Sequence, residues 1–300
     1  ADEDNIYVDM NAYQFLKASK KIALDIIKEA NTSSFSPLNI ITLLQKEKLE
    51  PTNDIYKYRY NMDCVVAPQF AYVIAIMELK EKTHLQQKTN SEQNKYLLLF
   101  NQTNFYSESG GQIYDTGIIK YKNKIIAKVT EVQNYKNYIL HTIDLKNGEI
   151  INLNDKLTIE VYNERRRLIS LNHTATHMLN YNLYKLLNKD INQHGSYLDD
   201  NYLRFDFITN KSITTNDLIE IEKSINTQIT SKLKVYRTLM SLEESKNIID
   251  IRSLNQMNYD NNVWVVSIGN STDFAEYKDN CDFSIELCGG THVYNTYDLK

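Results

Sequence analysis

The spacing of apolar positions divides the chain into three stretches. Between Ala12 and Glu29, Phe15, Leu16, Ala23, Ile26 and Ile27 recur at helical spacing, with Lys20, Lys21 and Lys28 on other faces. This predicts an amphipathic helix. Ser36-Pro37 offers an N-cap followed by proline at the first helical position, so a second helix is expected over Leu38–Leu49, stopped by Pro51. Residues 1–70 therefore read as a mainly helical segment.

The period then shortens. Tyr72–Met77, Tyr96–Phe100, Lys124–Val132, Tyr138–Ile143, Ile150–Leu153 and Leu157–Tyr162 are short β-branched or aromatic runs, and Asn147-Gly148 is a hairpin signal between two of them. Strands this short and close, with no helix between them, predict a small antiparallel β-barrel over residues 71–162. From 163 to 300 the two periods mix. His173–Leu187 and Asn216–Val235 read as helices, Val263–Ile268 and Asp282–Leu287 as strands. The expected fold is α+β: a small antiparallel β-barrel followed by an α/β two-layer core, preceded by the helical segment.

Composition narrows the classes. Eight glycines and three prolines stand in 300 residues, against roughly 21 and roughly 15 at average usage. Collagen-like and linker-like readings fail, and 42% hydrophobic with 24% charged residues excludes wholesale disorder. No apolar run approaches the roughly 18 residues that span a bilayer, so no membrane partner is expected. Three cysteines argue against a disulfide framework and for a reducing compartment, with a cytoplasmic location expected. The acidic start, Ala1-Asp2-Glu3-Asp4, shows no signal peptide and no initiator Met, which suggests a piece of a longer chain. A net charge of −4 gives no global attraction to nucleic acid.

The chemistry concentrates in two five-residue windows. His173-Thr174-Ala175-Thr176-His177 sets two imidazoles at i and i+4, on one face of a helix. Cys288-Gly289-Gly290-Thr291-His292 adds a thiol and a third imidazole at the same spacing, on a turn that two glycines permit. Three nitrogens and one sulfur form a zinc-type ligand set. Four protein ligands mark a closed structural site, whereas a catalytic zinc needs an open position; the sequence leaves both readings open. Cys281 and His194 are competing ligand candidates, but Cys281 has no partner at ligand spacing. It and Cys64 read as inert thiols, His84 and His141 as ordinary surface or strand residues.

Four motifs occur in order: Phe105-Tyr106-Ser107-Glu108-Ser109-Gly110-Gly111-Gln112; Asn172–His177; Gln193-His194-Gly195-Ser196 with Arg204-Phe205-Asp206-Phe207; and Glu286-Leu287-Cys288-Gly289-Gly290-Thr291-His292. Over roughly residues 95–297 the chain resembles the editing domain of alanyl-tRNA synthetase, and Lys57-Tyr58-Arg59-Tyr60 resembles eukaryotic-type members.

The resemblance implies an aminoacyl-tRNA deacylase that hydrolyses tRNA(Ala) mischarged with serine or glycine. A pocket discriminates by only about 1–3 kcal/mol for one methylene or hydroxyl, so a second sieve is needed. It implies Zn2+ held by His173, His177, Cys288 and His292. Thr176 and Gln193 match active-site positions, and Gly110-Gly111 a flexible substrate loop. Read without the resemblance, Thr176 bonds back to a carbonyl one turn earlier, Gln193 is a loop residue and the glycines form a turn. Glu108 offers an acid or base but reads more simply as a surface carboxylate, and Arg165-Arg166-Arg167 offers a phosphate contact but reads more simply as a solvated charge run.

The implied partners are the tRNA(Ala) 3′ end, bound weakly and salt-sensitively by this region alone, and the remaining domains of a parent synthetase. The implied division is a helical linker over 1–70, a barrel carrying the glycine motif over 71–162, and a zinc-binding editing core over 163–300. The aminoacylation site is expected to lie outside this segment. The alternatives are a free-standing trans-editing deacylase, the related threonyl-type editing domain, and a non-catalytic zinc-stabilised RNA-binding module.

Overall fold

A computed structural model describes residues 42, 44–46, 49–79, 94–188, 190–253, 259–269 and 284–300. The expected helix over Ala12–Glu29, the Ser36-Pro37 start, His84 and Cys281 lie outside the described residues. Of the expected Leu38–Leu49 helix, Thr42, 44–46 and Leu49 are described; Thr42 and 44–46 are helical and Leu49 is not. The chain forms two compact units. One holds the described residues up to Arg59, Val66–Ser107 and Tyr114–Tyr162; the other holds Tyr60–Val65, Glu108–Ile113 and Asn163–Lys300.

The first unit is built on six strands: β1 (Gln69–Glu78), β2 (Asn94–Phe100), β3 (Gly117–Tyr121), β4 (Lys124–Tyr135), β5 (Tyr138–Leu145) and β6 (Lys156–Val161). They close in the order β1-β2-β5-β4-β3-β6, every pair antiparallel. Alternate side chains point inward, so Ala71, Val73, Leu157, Ile159, Leu98, Phe100 and Ile143 form one buried core. Closure leaves no free sheet edge. The outer faces of β1, β2 and β5 are covered as well: Ile74, Leu97, Leu99 and Leu140 pack with Leu44 and Leu49.

Two features differ from the expected barrel. Asn147-Gly148 is a turn, with Gly148 at φ +80° and the Glu149 N–H donating to Lys146 O at 3.1 Å. It joins no strand pair, because Ile150–Leu153 is not a strand. Ile150 is exposed, Ile151 plugs the core, and a second turn held by Asn152 N–H on Asp155 Oδ2 at 2.7 Å follows at once. The tight hairpins are instead Lys122-Asn123 (φ +46° and +67°) between β3 and β4, and Lys136-Asn137 (φ +52° and +69°) between β4 and β5. Two successive positive φ values match the right-handed strand twist. Strand β3 escaped the sequence reading because it is five residues long and opens on glycine. That glycine is required: a Cβ at Gly117 would meet Glu160 O at 2.0 Å.

The second unit packs helices on a three-stranded antiparallel sheet of order β11-β10-β9: β9 (Lys234–Ser241), β10 (Asn262–Gly269) and β11 (Ser284–Leu287). Helix α1 spans Asn163–Leu186, α2 spans Thr215–Thr230, and a single turn α3 spans Leu242–Ser245. A hairpin of β7 (Asn192–Leu198) and β8 (Leu203–Ile208) completes it. Met178 of α1 and Ile225 and Ile229 of α2 pack on Val235, Val266 and Ile268, while Val265 and Ile285 face the other way, onto Ile248. The helices thus cover one sheet face.

Helix α1 begins ten residues before the expected His173. Helix α2 ends before the expected Val235, because Lys232 turns left-handed at φ +54° and β9 starts at Lys234. Its start is a capping box: Thr214 accepts from the Asp217 N–H, and the Asp217 carboxylate accepts from the Thr214 N–H at 2.7 Å. Among the described residues, no helix is long and apolar enough to cross a membrane.

One histidine sits inside the barrel. His141 on β5 is fully buried between Phe100 and Phe105, bonded through Nε2 to Thr103 Oγ1 at 2.9 Å. Burial pushes its pKa down to about 4. The unfolded chain therefore takes up this proton first, so the contribution is complete above about pH 6.5 and fades as pH falls towards 4. His141→Gln should reduce the acid-induced loss of stability between pH 7 and pH 4 by about 3 kcal/mol, as read from urea unfolding at each pH.

Candidate metal centre

Helix α1 carries an unusual buried stripe. Arg166, Ser170, His173, Thr174 and His177 are all buried and follow one another at helical spacing. Below them the stripe becomes apolar at Met178, Tyr181 and Leu183. The loop after β11 brings Cys288 and His292 against this stripe. The ligand atoms of His173, His177, Cys288 and His292 all lie within 4.8 Å of one another. Cys288 Sγ is 3.3 Å from His173 Nε2 and 3.4 Å from His292 Nε2.

The neighbours decide which ring nitrogen carries each proton. Gln112 Oε1 accepts the backbone N–H of Thr291 at 2.9 Å, which fixes the orientation of that amide. The same Oε1 lies 2.8 Å from His173 Nδ1, so Nδ1 must donate and Nε2 keeps a lone pair towards the sulfur. Thr174 gives its only hydroxyl hydrogen to Ser170 O at 2.9 Å. Its oxygen, 3.1 Å from His292 Nδ1, must therefore accept, and His292 Nε2 also presents a lone pair. His177 Nδ1 lies 3.7 Å from Glu286 Oε2, beyond hydrogen-bonding distance, and is buried without a hydrogen-bond partner.

Glu286 is itself held by Arg252 Nη2 at 2.9 Å, Asn180 Nδ2 at 3.1 Å and Ser284 Oγ at 3.2 Å. Burial raises its pKa, but electrostatic interaction with His177 and Arg252 and the hydrogen bonds from Arg252 and Asn180 outweigh that and hold the carboxyl below its ordinary range.

Burial depresses His173, His177 and His292, and pushes the Cys288 thiol up to about 12. The four groups on their own are uncharged at neutral pH. Inward lone pairs on His173 and His292, whose outward N–H groups are bonded to neighbours, and a carboxylate near His177 match the requirements of a divalent cation of the zinc type. A cation entering the cluster would displace the Cys288 proton.

Two predicted site residues lie apart from this bonding network. The Thr176 hydroxyl donates to Asn172 O at 2.8 Å, one turn back along α1. Gln193 is half-buried on β7 opposite Phe207, next to a bulge. Among the described residues, neither hydrogen-bonds to a member of the cluster. Gly110 (φ +58°) and Gly111 (φ +86°) form a tight turn, closed by reciprocal backbone bonds between Ser109 and Gln112 at 3.1 and 3.0 Å. Arg165 pairs with Asp200 at 3.0 Å and Arg166 is buried, so of the arginine run only Arg167 faces solvent in part. Cys64 is buried, and burial pushes its thiol up to about 11.

Gln112 and Thr174 were overlooked as functional residues, although both fall inside the quoted motifs. Tyr60 was overlooked too: its hydroxyl accepts the His292 N–H at 3.3 Å, its carbonyl accepts the Tyr294 hydroxyl at 2.8 Å, and Arg237 stacks over its ring. The one signal for Gln112 is its place directly after a glycine pair in a glycine-poor chain.

A family profile described as "tRNA synthetases class II (A)" matches residues 1–165, and one described as "Threonyl and Alanyl tRNA synthetase second additional domain" matches residues 263–300, which contain Cys288 and His292. The chain thus falls within the class II tRNA synthetases. The mitochondrial alanine–tRNA ligase of Saccharomyces cerevisiae is 31% identical over 307 residues, covering 100% of this chain and 30% of that protein. The alanine–tRNA ligase of Buchnera aphidicola is 33% identical (96% and 32% covered), and the cytoplasmic one of Dictyostelium discoideum 31% (99% and 31%). The chain belongs to the alanyl-tRNA synthetase family. It spans about a third of the length of these curated relatives. The similarity reaches residue 1, ahead of the region whose motifs carried the resemblance.

Gly290 makes the cluster sterically feasible. A Cβ there would stand 2.0 Å from His173 Cε1 and 2.9 Å from Gln112 Oε1. Gly290→Ala should destabilise the protein by about 1–3 kcal/mol through overpacking, measured by urea unfolding, and should weaken Zn2+ uptake in a chelator competition.

Proposed function

We propose that this chain is the editing region of an alanyl-tRNA synthetase and hydrolyses the ester of tRNA(Ala) mischarged with serine or glycine. The observation that carries the reading is the convergence of His173, His177, Cys288 and His292, with the Cys288–His292 half inside the segment matched by the synthetase second-additional-domain profile. Zn2+ is the proposed cofactor, and when bound it would supply Lewis-acid polarisation of an ester or water oxygen.

The protein's own side chains would do the rest. The three histidines and Cys288 would hold the ion. Gln112, Thr174 and the Glu286 carboxylate would keep the imidazoles in place. Thr176 has committed its hydrogen to Asn172 O, so its oxygen offers only lone pairs. It would therefore accept a hydrogen bond from a donor such as a serine hydroxyl, a contact that alanine cannot make. Gln193 would bind the aminoacyl or ribose end from β7, and the Gly110-Gly111 turn would border the substrate.

The proposed division is a linker over 1–70, the barrel over 71–162 and the editing core over 163–300, with the Glu108–Ile113 part of the glycine motif grouped with the core. The other domains of the synthetase would hold the tRNA, deliver its 3′ end and perform ATP-dependent charging. Low cysteine usage supports a reducing compartment, and the cytoplasm is proposed, with relatives named from both cytoplasm and mitochondria.

The test is deacylation of Ser-tRNA(Ala), with Ala-tRNA(Ala) as control. The expected result is preferential hydrolysis of the serine ester, and loss of both bound zinc and activity in Cys288→Ala. Full activity in a preparation shown to be free of metal would sink the zinc mechanism. Zinc binding without deacylation would leave the RNA-binding module as the better reading.

A further inference from the structure

We propose that Gln112 is the positioning residue of the metal centre, and that the Gly110-Gly111 turn serves to deliver it; this rests on the metal reading above. Gln112 is fully buried, and all its polar atoms are committed. Its Oε1 accepts from the Thr291 N–H and from His173 Nδ1, and its Nε2 donates to Thr291 Oγ1 at 3.0 Å. One side chain thereby ties α1 to the Cys288–His292 loop. Because a backbone N–H cannot exchange its role, the amide orientation is fixed. His173 is then held as the Nδ1–H tautomer, with its Nε2 lone pair towards Cys288 Sγ.

Two glycines make room for this contact. At Gly111 a Cβ would lie 2.3 Å from Ser196 Oγ and 2.5 Å from Ser196 O. The turn can therefore press against β7, where the Leu198 N–H donates to Gly111 O at 2.9 Å and the Ile113 N–H to Leu198 O at 3.1 Å. These bonds flank Gln112 and set its backbone. On the opposite side, Gly290 leaves the space in which His173 and Gln112 meet. The glycine turn would then act on the chemistry through His173, as a rigid support rather than a mobile flap.

The test uses the 300-residue chain. Gln112→Leu keeps the volume but removes the acceptor; Gln112→Glu keeps the acceptor. Gln112→Leu should bind Zn2+ about 10–100-fold more weakly in a chelator competition and should change the visible spectrum of the Co2+-loaded protein. Gln112→Glu should restore affinity to within about threefold of the unsubstituted protein, with its Co2+ spectrum. Equal affinity for all three proteins, or equal loss in both variants, would overturn the positioning role while leaving the metal reading intact. Absence of metal binding by the unsubstituted chain would overturn the metal reading and this proposal with it. Should Gln112→Leu fail to fold, a long-range 1H–15N spectrum of the unsubstituted chain decides: Nδ1–H on His173 supports the proposal, and Nε2–H overturns it.

Discussion

The second unit depends on one constraint: three imidazoles and a thiol must meet out of water with their lone pairs facing inward. Burial alone would make such a cluster costly, since each ring also carries an N–H that needs a partner. The fold meets this cost with a second ring of groups. Gln112 receives the His173 proton and Thr174 the His292 proton, while the Glu286 carboxylate stands beside His177. These three are themselves held by Thr291, Ser170 and Arg252. A large share of the polar side chains of α1 is therefore spoken for before any substrate arrives.

This constraint explains what was legible. The two ligand pairs stand out because their spacings are local, i to i+4 within five residues. Their partners are remote: Gln112 is 61 residues from His173, and Asn180 is 106 from Glu286. No local spacing links such pairs. The first half of α1 was hidden for a related reason. Its buried stripe at Arg166, Ser170, His173, Thr174 and His177 has helical period but largely polar chemistry, so the expected helix opens only at His173, on the strength of the leucines that follow. The barrel was more readable, because β6 buries every second residue and β1 and β5 carry short runs of apolar residues buried on both faces. Ile150–Leu153 had the composition of a strand, but two flanking turns leave it no ladder. β7 was missed because its run is polar and half exposed, whereas β8 alternates Leu203, Phe205 and Phe207 with Arg204 and Asp206, a strand pattern that was passed over in favour of its motif.

Scarce glycine has a structural counterpart. Among the described residues, nine non-glycine positions take positive φ, four of them asparagine: Asn123, Asn137, Asn154 and Asn188. Asparagine tolerates the left-handed region because its short amide can bond locally. The chain thus uses Asn, and in places Lys, at hairpins and helix ends where φ alone is at issue. Glycine stands at Gly110 and Gly148 for φ alone, and at Gly111 against Ser196, Gly117 against Glu160 and Gly290 against His173 because a side chain would collide. Steric demand is the stricter of the two requirements, since no other residue lacks a Cβ.

The same distinction bears on the acidic net charge. Positive charge is present but is turned inward around the site. Arg166 is buried, Arg252 is spent on Glu286, and Arg237 lies over the rings of Trp264 and Tyr60. These cations act at short range, holding a carboxylate and stacking on aromatic rings, where low local dielectric strengthens them. A net charge of −4 therefore reports on long-range attraction to a polyanion and says little about the field inside the cluster.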